Sequence, residues 1–466
     1  MAGGIVQDLK RLTGGAVALA GREAAPYRYD STVQRGLLGD PAAVVLPTDA
    51  GQLAAVVSYC QRQGLAVVPR GGGTGLVGGA TPVDGGVVLS CELLGTVAWE
   101  DERLGLLRLG AGVPTAHAAR IARERGWYFG PDPGGADRSR IGGNVATNAG
   151  GPHALKYGRT GAYVIGMEVV VGEGAVVRLG EWGRRDSGGY DLIGLFVGSE
   201  GTLGVIAEVV LKLRPAPGGA AAGVLVCEGP EDLAAAVGVI LESGLEPAVL
   251  DFIDGQAVGM AQGGWPVPQA AVPKDGAVLL VETDGRDPQE AQRRLAELAG
   301  VVAEAGALPL FPAKGAALWS WRDGLGPLAA TELGGRIADD LYCPPPRLGE
   351  ALAALRRLAG EQGVECRVWG HAGEGVVHAS FLFDPERPQQ RGAAERAGEA
   401  ALDLALALGG GICGEHGIGL VKAARYAATA DPERLASERA VKAAFDPRWL
   451  FNPGKKLVGP QLSATG

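Results

Sequence analysis

Apolar residues along the chain fall into short blocks and periodic stretches, and the two predict different elements. Compact apolar blocks at 42–45, 65–68, 87–89, 95–99, 104–109, 166–171, 176–179 and 209–213 predict strands. Between the first two, Leu53, Val56, Val57 and Cys60 recur at helical spacing, with Thr48 as the expected cap and Gly64 as the expected stop. A second helix is predicted over 114–125, ending at Gly126. Pro215, Pro217, Gly218 and Gly219 then interrupt the pattern and predict a domain boundary. Beyond it the rhythm changes. A strand at 224–227 precedes a helix over 230–243 closed by Gly244, and a strand at 278–282 precedes a helix opened by Asp287, Pro288 and Glu290. This alternation predicts an α+β unit with helices on one face of an open sheet.

Two glycine-rich stretches break the first half. Residues 65–89 read LAVVPRGGGTGLVGGATPVDGGVVL, and a backbone so free of side chains can turn its N–H groups toward a pyrophosphate, with Arg70 adding charge. Gly73, Gly75 and Gly78 spell GxGxxG, yet the chain continues through Ala80, Thr81, Pro82, Val83 and Asp84, a turn, into a strand. Without a helix after the glycines, a nicotinamide-type Rossmann site is disfavoured. The second stretch, 131–151 (PDPGGADRSRIGGNVATNAGG), combines small residues with Asn144, Thr147 and Asn148. It is expected to lie flat against a ring system and to offer backbone groups to its edge.

In the second half, 364–383 reads VECRVWGHAGEGVVHASFLF. A two-residue turn at Glu374 and Gly375 would set His371 and His378 directly opposite each other on one face of a hairpin. The chain has only 5 histidines. A third, His416, follows Glu415 in GGGICGEHGIG (409–419). Two histidines and a carboxylate with open positions are the makings of a catalytic divalent-metal site.

Composition narrows the class. The 466 residues carry a net charge of −9 with 47% hydrophobic and 20% charged positions, which suits a multidomain acidic protein and argues against nucleic-acid binding. The 6 cysteines form no CxxC pair, so a zinc ribbon or iron–sulfur cluster on this chain is not expected. Asp8, Lys10 and Arg11 interrupt the N-terminal apolar residues, and the uncharged run 255–273 is broken by glycine and proline. Neither a signal peptide nor a transmembrane segment is expected, and the predicted location is cytoplasmic, or peripheral at the inner membrane through a partner.

Read together, PRGGGTGLVGGA, IGGNVATNAGG with KYG after it, LFVGSEGTLGVI, GHAGEGVVH, GEHGIG and FNPGKK (451–456) resemble, in order, the FAD-linked D-2-hydroxy-acid dehydrogenases. That family includes the D-lactate and D-2-hydroxyglutarate dehydrogenases and the glycolate oxidase catalytic subunit, with an FAD fold of the vanillyl-alcohol-oxidase type. The resemblance implies an α+β protein. A two-subdomain FAD-binding domain would span 1–217, an α+β cap with an antiparallel sheet would span 218–440, and 441–466 would return to the flavin domain. It implies FAD contacts at Arg70, Gly71, Gly72, Gly73, Thr74, Gly75, Gly79, Pro131, Gly142, Gly143, Asn148, Gly151, Ile206 and Asn452. Thr74 stands where covalently flavinylated relatives carry histidine, which implies non-covalent FAD.

The same resemblance implies a divalent ion, zinc or manganese, on His371, His378 and Glu415, with His416 as general base and Arg322 (in LWSWRDG) clamping the substrate carboxylate. The implied reaction oxidises a small D-2-hydroxy acid, D-lactate or glycolate, by hydride transfer to flavin N5. Electrons would pass to an acceptor protein or quinone, or to an iron–sulfur partner subunit in a glycolate-oxidase-like complex. A non-redox relative of the alkyl-glycerone-phosphate synthase type shares the fold, but its lipid tunnel and histidine cluster have no counterpart here. The family motif has aspartate at Glu374 and asparagine at Val376, and Ser380 replaces another asparagine. A lysine that serves dicarboxylate substrates has no counterpart around 337–340, which favours a monocarboxylate.

Overall fold

The computed structural model describes all residues except 1, 83–84, 181, 183–187, 261–264, 266, 269–270, 307–309 and 460–466. The expected turn through Val83 and Asp84 and part of the 255–273 run therefore lie outside the described residues. Two larger sheets and a two-stranded pair, Trp127–Tyr128 with Arg214–Pro215, build the first half among the described residues. In the first, the strands lie in the order Val17–Leu19, Ala43–Leu46, Val87–Ser90, Val67–Arg70, and the last three pair in parallel. Ala43–Leu46 and Val87–Ser90 are buried along their whole length, as parallel strands covered on both faces must be. The helix Ala50–Gln63 is capped by Asp49, whose side chain accepts from Gln52 N–H, and not by Thr48. Thr48 instead donates its own N–H to the Gln52 side chain, the reciprocal half of a capping arrangement. Gly64 ends the helix at φ 66° as expected.

The second sheet is antiparallel, in the order Val97–Asp101, Leu106–Gly110, Val205–Lys212, Val164–Val171, Ala175–Leu179. One buried cluster runs through both sheets, from Val67 and Leu89 to Leu109, Val169 and Ile206. Phe451 belongs to it. The C-terminal segment lies along the edge of the first sheet, where Val67 N–H donates to Leu450 and Asn452 N–H donates to Val67.

Part of the predicted flat loop is a helix, Ile141–Thr147. Its glycines disfavour helix locally, but Ile141 and Val145 are fully buried and Asn144 donates to Thr115 Oγ1 at 2.7 Å, so tertiary packing decides the conformation. Asn148 closes it in the left-handed region at φ 50°, with its side chain accepting from Gly161 N–H.

The second half is organised on a seven-stranded antiparallel sheet. Its order is Leu310–Ala313, Gly219–Cys227, Ala277–Gly285, Val249–Asp254, Glu365–His371, Val376–Phe383, Gly335–Tyr342. The helices Pro230–Glu242, Pro288–Gly306, Leu348–Gln362 and Pro388–Ala407 pack on one face around Leu225, Phe252, Leu279 and Phe381. The other face is also covered, which corrects the one-faced expectation. Gly315–Asp323 and Leu325–Glu332 pack over Val224, Ile253, Leu280 and Trp369, because these strands are apolar at both inward and outward positions. No described helix is long and apolar enough to cross a membrane.

Candidate active site

The glycine loop that leaves Val67–Arg70 opens no helix and forms one wall of a cleft. Gly72 approaches a second backbone so closely that an added Cβ would lie 2.0 Å from the Arg138 carbonyl oxygen, and Gly73 sits at φ 66°. Among the described residues, the N–H groups of Gly71, Gly72, Gly73, Thr74, Gly75 and Leu76 have no partner within the chain. An unpaired row of amides on a glycine-rich wall fits the pyrophosphate of FAD. Gly79, Gly142, Gly143, Ile206, Glu415 and His416 line the same cleft.

Other expected contacts are bonded within the chain or lie outside the lining of the cleft. Arg70 lines the cleft, but its guanidinium donates to the Tyr29 and Pro26 carbonyls at 2.8 and 3.3 Å and lies over the Tyr27 ring. These bonds brace the loop and leave only part of the guanidinium's donors for a phosphate. Pro131, Asn148, Gly151 and Asn452 do not line the cleft. Gly151 packs at φ 119° against the Asp132 backbone, while Asn452 holds the Gly79 and Glu200 carbonyls at 3.0 and 2.8 Å. Lys455 adds bonds to the Gly79 and Thr81 carbonyls, and burial lowers its pKa to about 7.

His371 and His378 share a face without being directly opposed. The turn spans Ala372–Gly375, so His371 pairs with Val376 and His378 with Trp369. Gly375, at φ 71°, allows the longer turn, and the two-residue change of register returns both histidines to one side. Their Nε2 atoms lie 3.4 and 3.3 Å from one oxygen, Glu415 Oε1. One ligand atom from each of the three residues fits within 4.8 Å of the others. Two imidazoles and one carboxylate form a donor set suited to zinc or manganese.

The charges around the cluster follow the strand order. Asp251, on the strand beside His371, binds His371 Nδ1 at 2.7 Å and leaves Nε2 facing Glu415. Burial alone would lower the pKa of His371, but Asp251 and Glu415 raise it to about 10. A carboxylate on the far nitrogen is the usual outer partner of a metal-binding histidine. Burial pushes His378 down to about 4 even beside Glu415, with His416 and His371 adding to the shift, so it is neutral. The His416 ring stacks on His378 with centroids 5.0 Å apart. Asp340 outweighs burial at His416 and raises its pKa.

Arg322 is buried beside this cluster. Its Nε donates to Asp251 Oδ2 at 2.8 Å, one terminal nitrogen lies 3.4 Å from the His371 ring, and the other lies 3.6 Å from Asp323.

Several residues at the site were not anticipated from sequence. Asp251 and Asp340 are polar interruptions of apolar strands, a pattern that marks buried polar groups. His153 bridges Asp132 and Glu282 at 2.5 and 3.0 Å, and Trp319 donates to the other oxygen of Glu282. Trp319 lies one helical turn before Arg322, so this bridge ties the flavin side to the helix that carries the arginine. Glu200, at φ 55°, accepts from Ile418 and Gly419 N–H at 3.0 and 2.6 Å. A glutamate in a left-handed turn followed by glycine was its only signal.

The cleft, the sheets and the glycine-rich wall match a flavoprotein fold of the vanillyl-alcohol-oxidase type. The structure of 4-ethylphenol oxidase from Gulosibacter chungangensis superposes with a TM-score of 0.78 over 98% of this chain and 97% of that one, at 16% identity. The family model for the FAD binding domain matches residues 41–180, and that for FAD linked oxidases, C-terminal domain, matches 217–456. The chain is 33% identical to glycolate oxidase subunit GlcD of Bacillus subtilis (93% of this chain, 92% of that one). It is 34% identical to D-lactate dehydrogenase of Anaerostipes hadrus, over 89% of each. The chain belongs to the FAD-linked oxidase family and is an FAD-dependent oxidoreductase.

Proposed function

We propose that the protein oxidises a small D-2-hydroxy acid, D-lactate or glycolate, to the 2-oxo acid. The observation that carries this reading is the position of Glu415 and His416. They line the flavin cleft, and Glu415 Oε1 is also the atom toward which both histidine Nε2 atoms converge. Bound FAD would supply the hydride acceptor. A divalent ion on His371, His378 and Glu415 would orient the substrate oxygens and lower the hydroxyl pKa.

The remaining steps belong to the chain's own side chains. Arg322, with Nε fixed by Asp251 and its terminal nitrogens beside the His371 ring and Asp323, would turn a terminal nitrogen pair toward the substrate carboxylate, a planar match that lysine lacks. His416, when neutral, takes the hydroxyl proton, a contribution worth roughly 10²–10⁴-fold in rate. No lysine stands at 337–340 to meet a second carboxylate, which supports a monocarboxylate over 2-hydroxyglutarate.

A second reading concerns the route of the electrons. Relatives in Bacillus subtilis and Escherichia coli are named as glycolate oxidase subunits, and this chain's cysteines are unpaired and apart. Both facts support a flavin subunit that passes electrons to an iron–sulfur partner. Turnover of the isolated chain with D-lactate, L-lactate and glycolate, using an artificial dye and then a quinone, tests both readings. Preference for a D-acid supports the substrate assignment, and turnover with dye alone supports the partner.

A further inference from the structure

We propose that Asp340 is the positioning residue of the Gly414–Glu415–His416 turn, holding the metal-cluster carboxylate and the base in register with each other. The inference rests on the roles proposed above for Glu415 and His416. Asp340 Oδ2 accepts three consecutive backbone N–H groups, from Gly414, Glu415 and His416, at 2.8, 2.6 and 2.9 Å. Three amides converging on one atom dictate the path of the backbone, and an anion suits that convergence better than a neutral acceptor. The other oxygen, Oδ1, accepts from Lys422 Nζ at 2.7 Å and lies 3.4 Å from His416 Nδ1.

Asp340 and Lys422 are both 1% exposed. A charge buried to that degree persists because it is paired and its lone pairs are used. The arrangement is also keyed to the sheet. Asp340 stands directly across from His378 on the neighbouring strand, so one strand position fixes the turn relative to the histidine on which His416 stacks. The turn is confined from its other side too, because a Cβ on Gly414 would lie 2.8 Å from the Leu341 carbonyl oxygen. Lys422 Nζ donates to Oδ1 and to the Asp340 carbonyl oxygen, so charge balance falls on one oxygen and the turn on the other.

Three FAD-loaded variants test this: Lys422→Met, Asp340→Asn with Lys422→Met, and Asp340→Glu. The double variant leaves no unpaired buried ammonium. Asp340→Glu keeps the ion pair but displaces the acceptor by one methylene. Amide exchange is followed by mass spectrometry on the peptide covering 412–420, zinc affinity by competition with a chromophoric chelator, and kinetics with D-lactate and glycolate.

The double variant is expected to keep its flavin while the 414–416 amides lose protection relative to Lys422→Met. Zinc affinity should fall about 10–100-fold, the range for outer partners of metal ligands. kcat should fall about 100-fold with KM changing far less, as for an ångström-scale misplacement of a catalytic group. Asp340→Glu should show the same losses, and it decides the matter if the double variant does not fold. Protected amides together with zinc affinity and kcat within about twofold of Lys422→Met overturn the proposal. If no hydroxy acid reduces the wild-type flavin, the proposed function fails, while exchange and zinc affinity still decide the role of Asp340.

Discussion

His371 and His378 are diagonal neighbours across their hairpin, with ring centroids 5.6 Å apart and planes at 85°, and neither is the other's strand partner. In this edge-on arrangement both Nε2 atoms lie within 3.4 Å of Glu415 Oε1. Glu415 is therefore the shared element of the cluster.

Glu415→Gln keeps the size of that side chain and removes its charge. Zinc affinity is expected to fall by more than about 100-fold, beyond the 10–100-fold typical of outer-shell changes. Competition with a chromophoric chelator measures it, and unchanged affinity would remove Glu415 from the ligand set.

Arg322→Ala leaves Asp251 buried beside His371 without its guanidinium. Breaking a buried pair from one side costs about 3–5 kcal/mol, so the melting temperature should drop clearly. Arg322→Lys restores the charge but not the fork. It should recover stability while kcat/KM for the hydroxy acid stays depressed. Full recovery of kcat/KM by lysine would show that Arg322 acts only through Asp251.

Gly72 and Gly143 separate folding from cofactor binding. Gly72→Ala must move the Arg138 backbone and should lower stability by about 1–3 kcal/mol. At Gly143 an added Cβ meets nothing within 4 Å, and the residue lines the cleft. Gly143→Leu should leave the melting temperature of the flavin-free protein nearly unchanged and abolish flavin retention. Calorimetry and the visible spectrum read the two effects, and a flavin-replete Gly143→Leu protein would place the cofactor elsewhere.

His153 gives a pH dependence with a definite sign. Burial alone would lower its pKa, but Asp132 and Glu282 raise it from 6.5 to about 10. Between those values the folded state holds a proton that the unfolded state releases, so stability falls as pH rises. The contribution is fully present below pH 6.5 and lost through about pH 10. The stability advantage of wild type over His153→Gln should therefore shrink by roughly a few kcal/mol between pH 6 and 10. A constant difference across that range, followed by thermal melting, would contradict the bridge.

The parts legible in sequence were those whose signal is local. Val67–Arg70 running into glycines without a following helix disfavoured a Rossmann turn, and Asp287, Pro288 and Glu290 marked a helix start that the 2.7 Å cap bond matches. Tertiary choices were not legible. Ile141–Thr147 is helical because Ile141 and Val145 are buried, which its glycines do not advertise. Arg70 reads as a phosphate ligand in sequence, and its bonds to the Tyr29 and Pro26 carbonyls, which brace the loop, were not legible there. The histidine register depended on whether Ala372 and Gly373 joined the turn, and only the face, not the pairing, follows from period two. Asp251 and Asp340 act from neighbouring strands more than 70 residues away in the chain, beyond the reach of any motif.

Anaerobic reduction of the bound flavin by D-lactate and glycolate, before and after chelation, tests the central claim most directly. The account predicts bleaching of the flavin absorbance by a D-acid, its loss on chelation, and its return on adding zinc or manganese. Bleaching that proceeds equally after complete metal removal would contradict the metal role of His371, His378 and Glu415. A bound flavin that none of these acids reduces with metal present would contradict the 2-hydroxy-acid assignment itself.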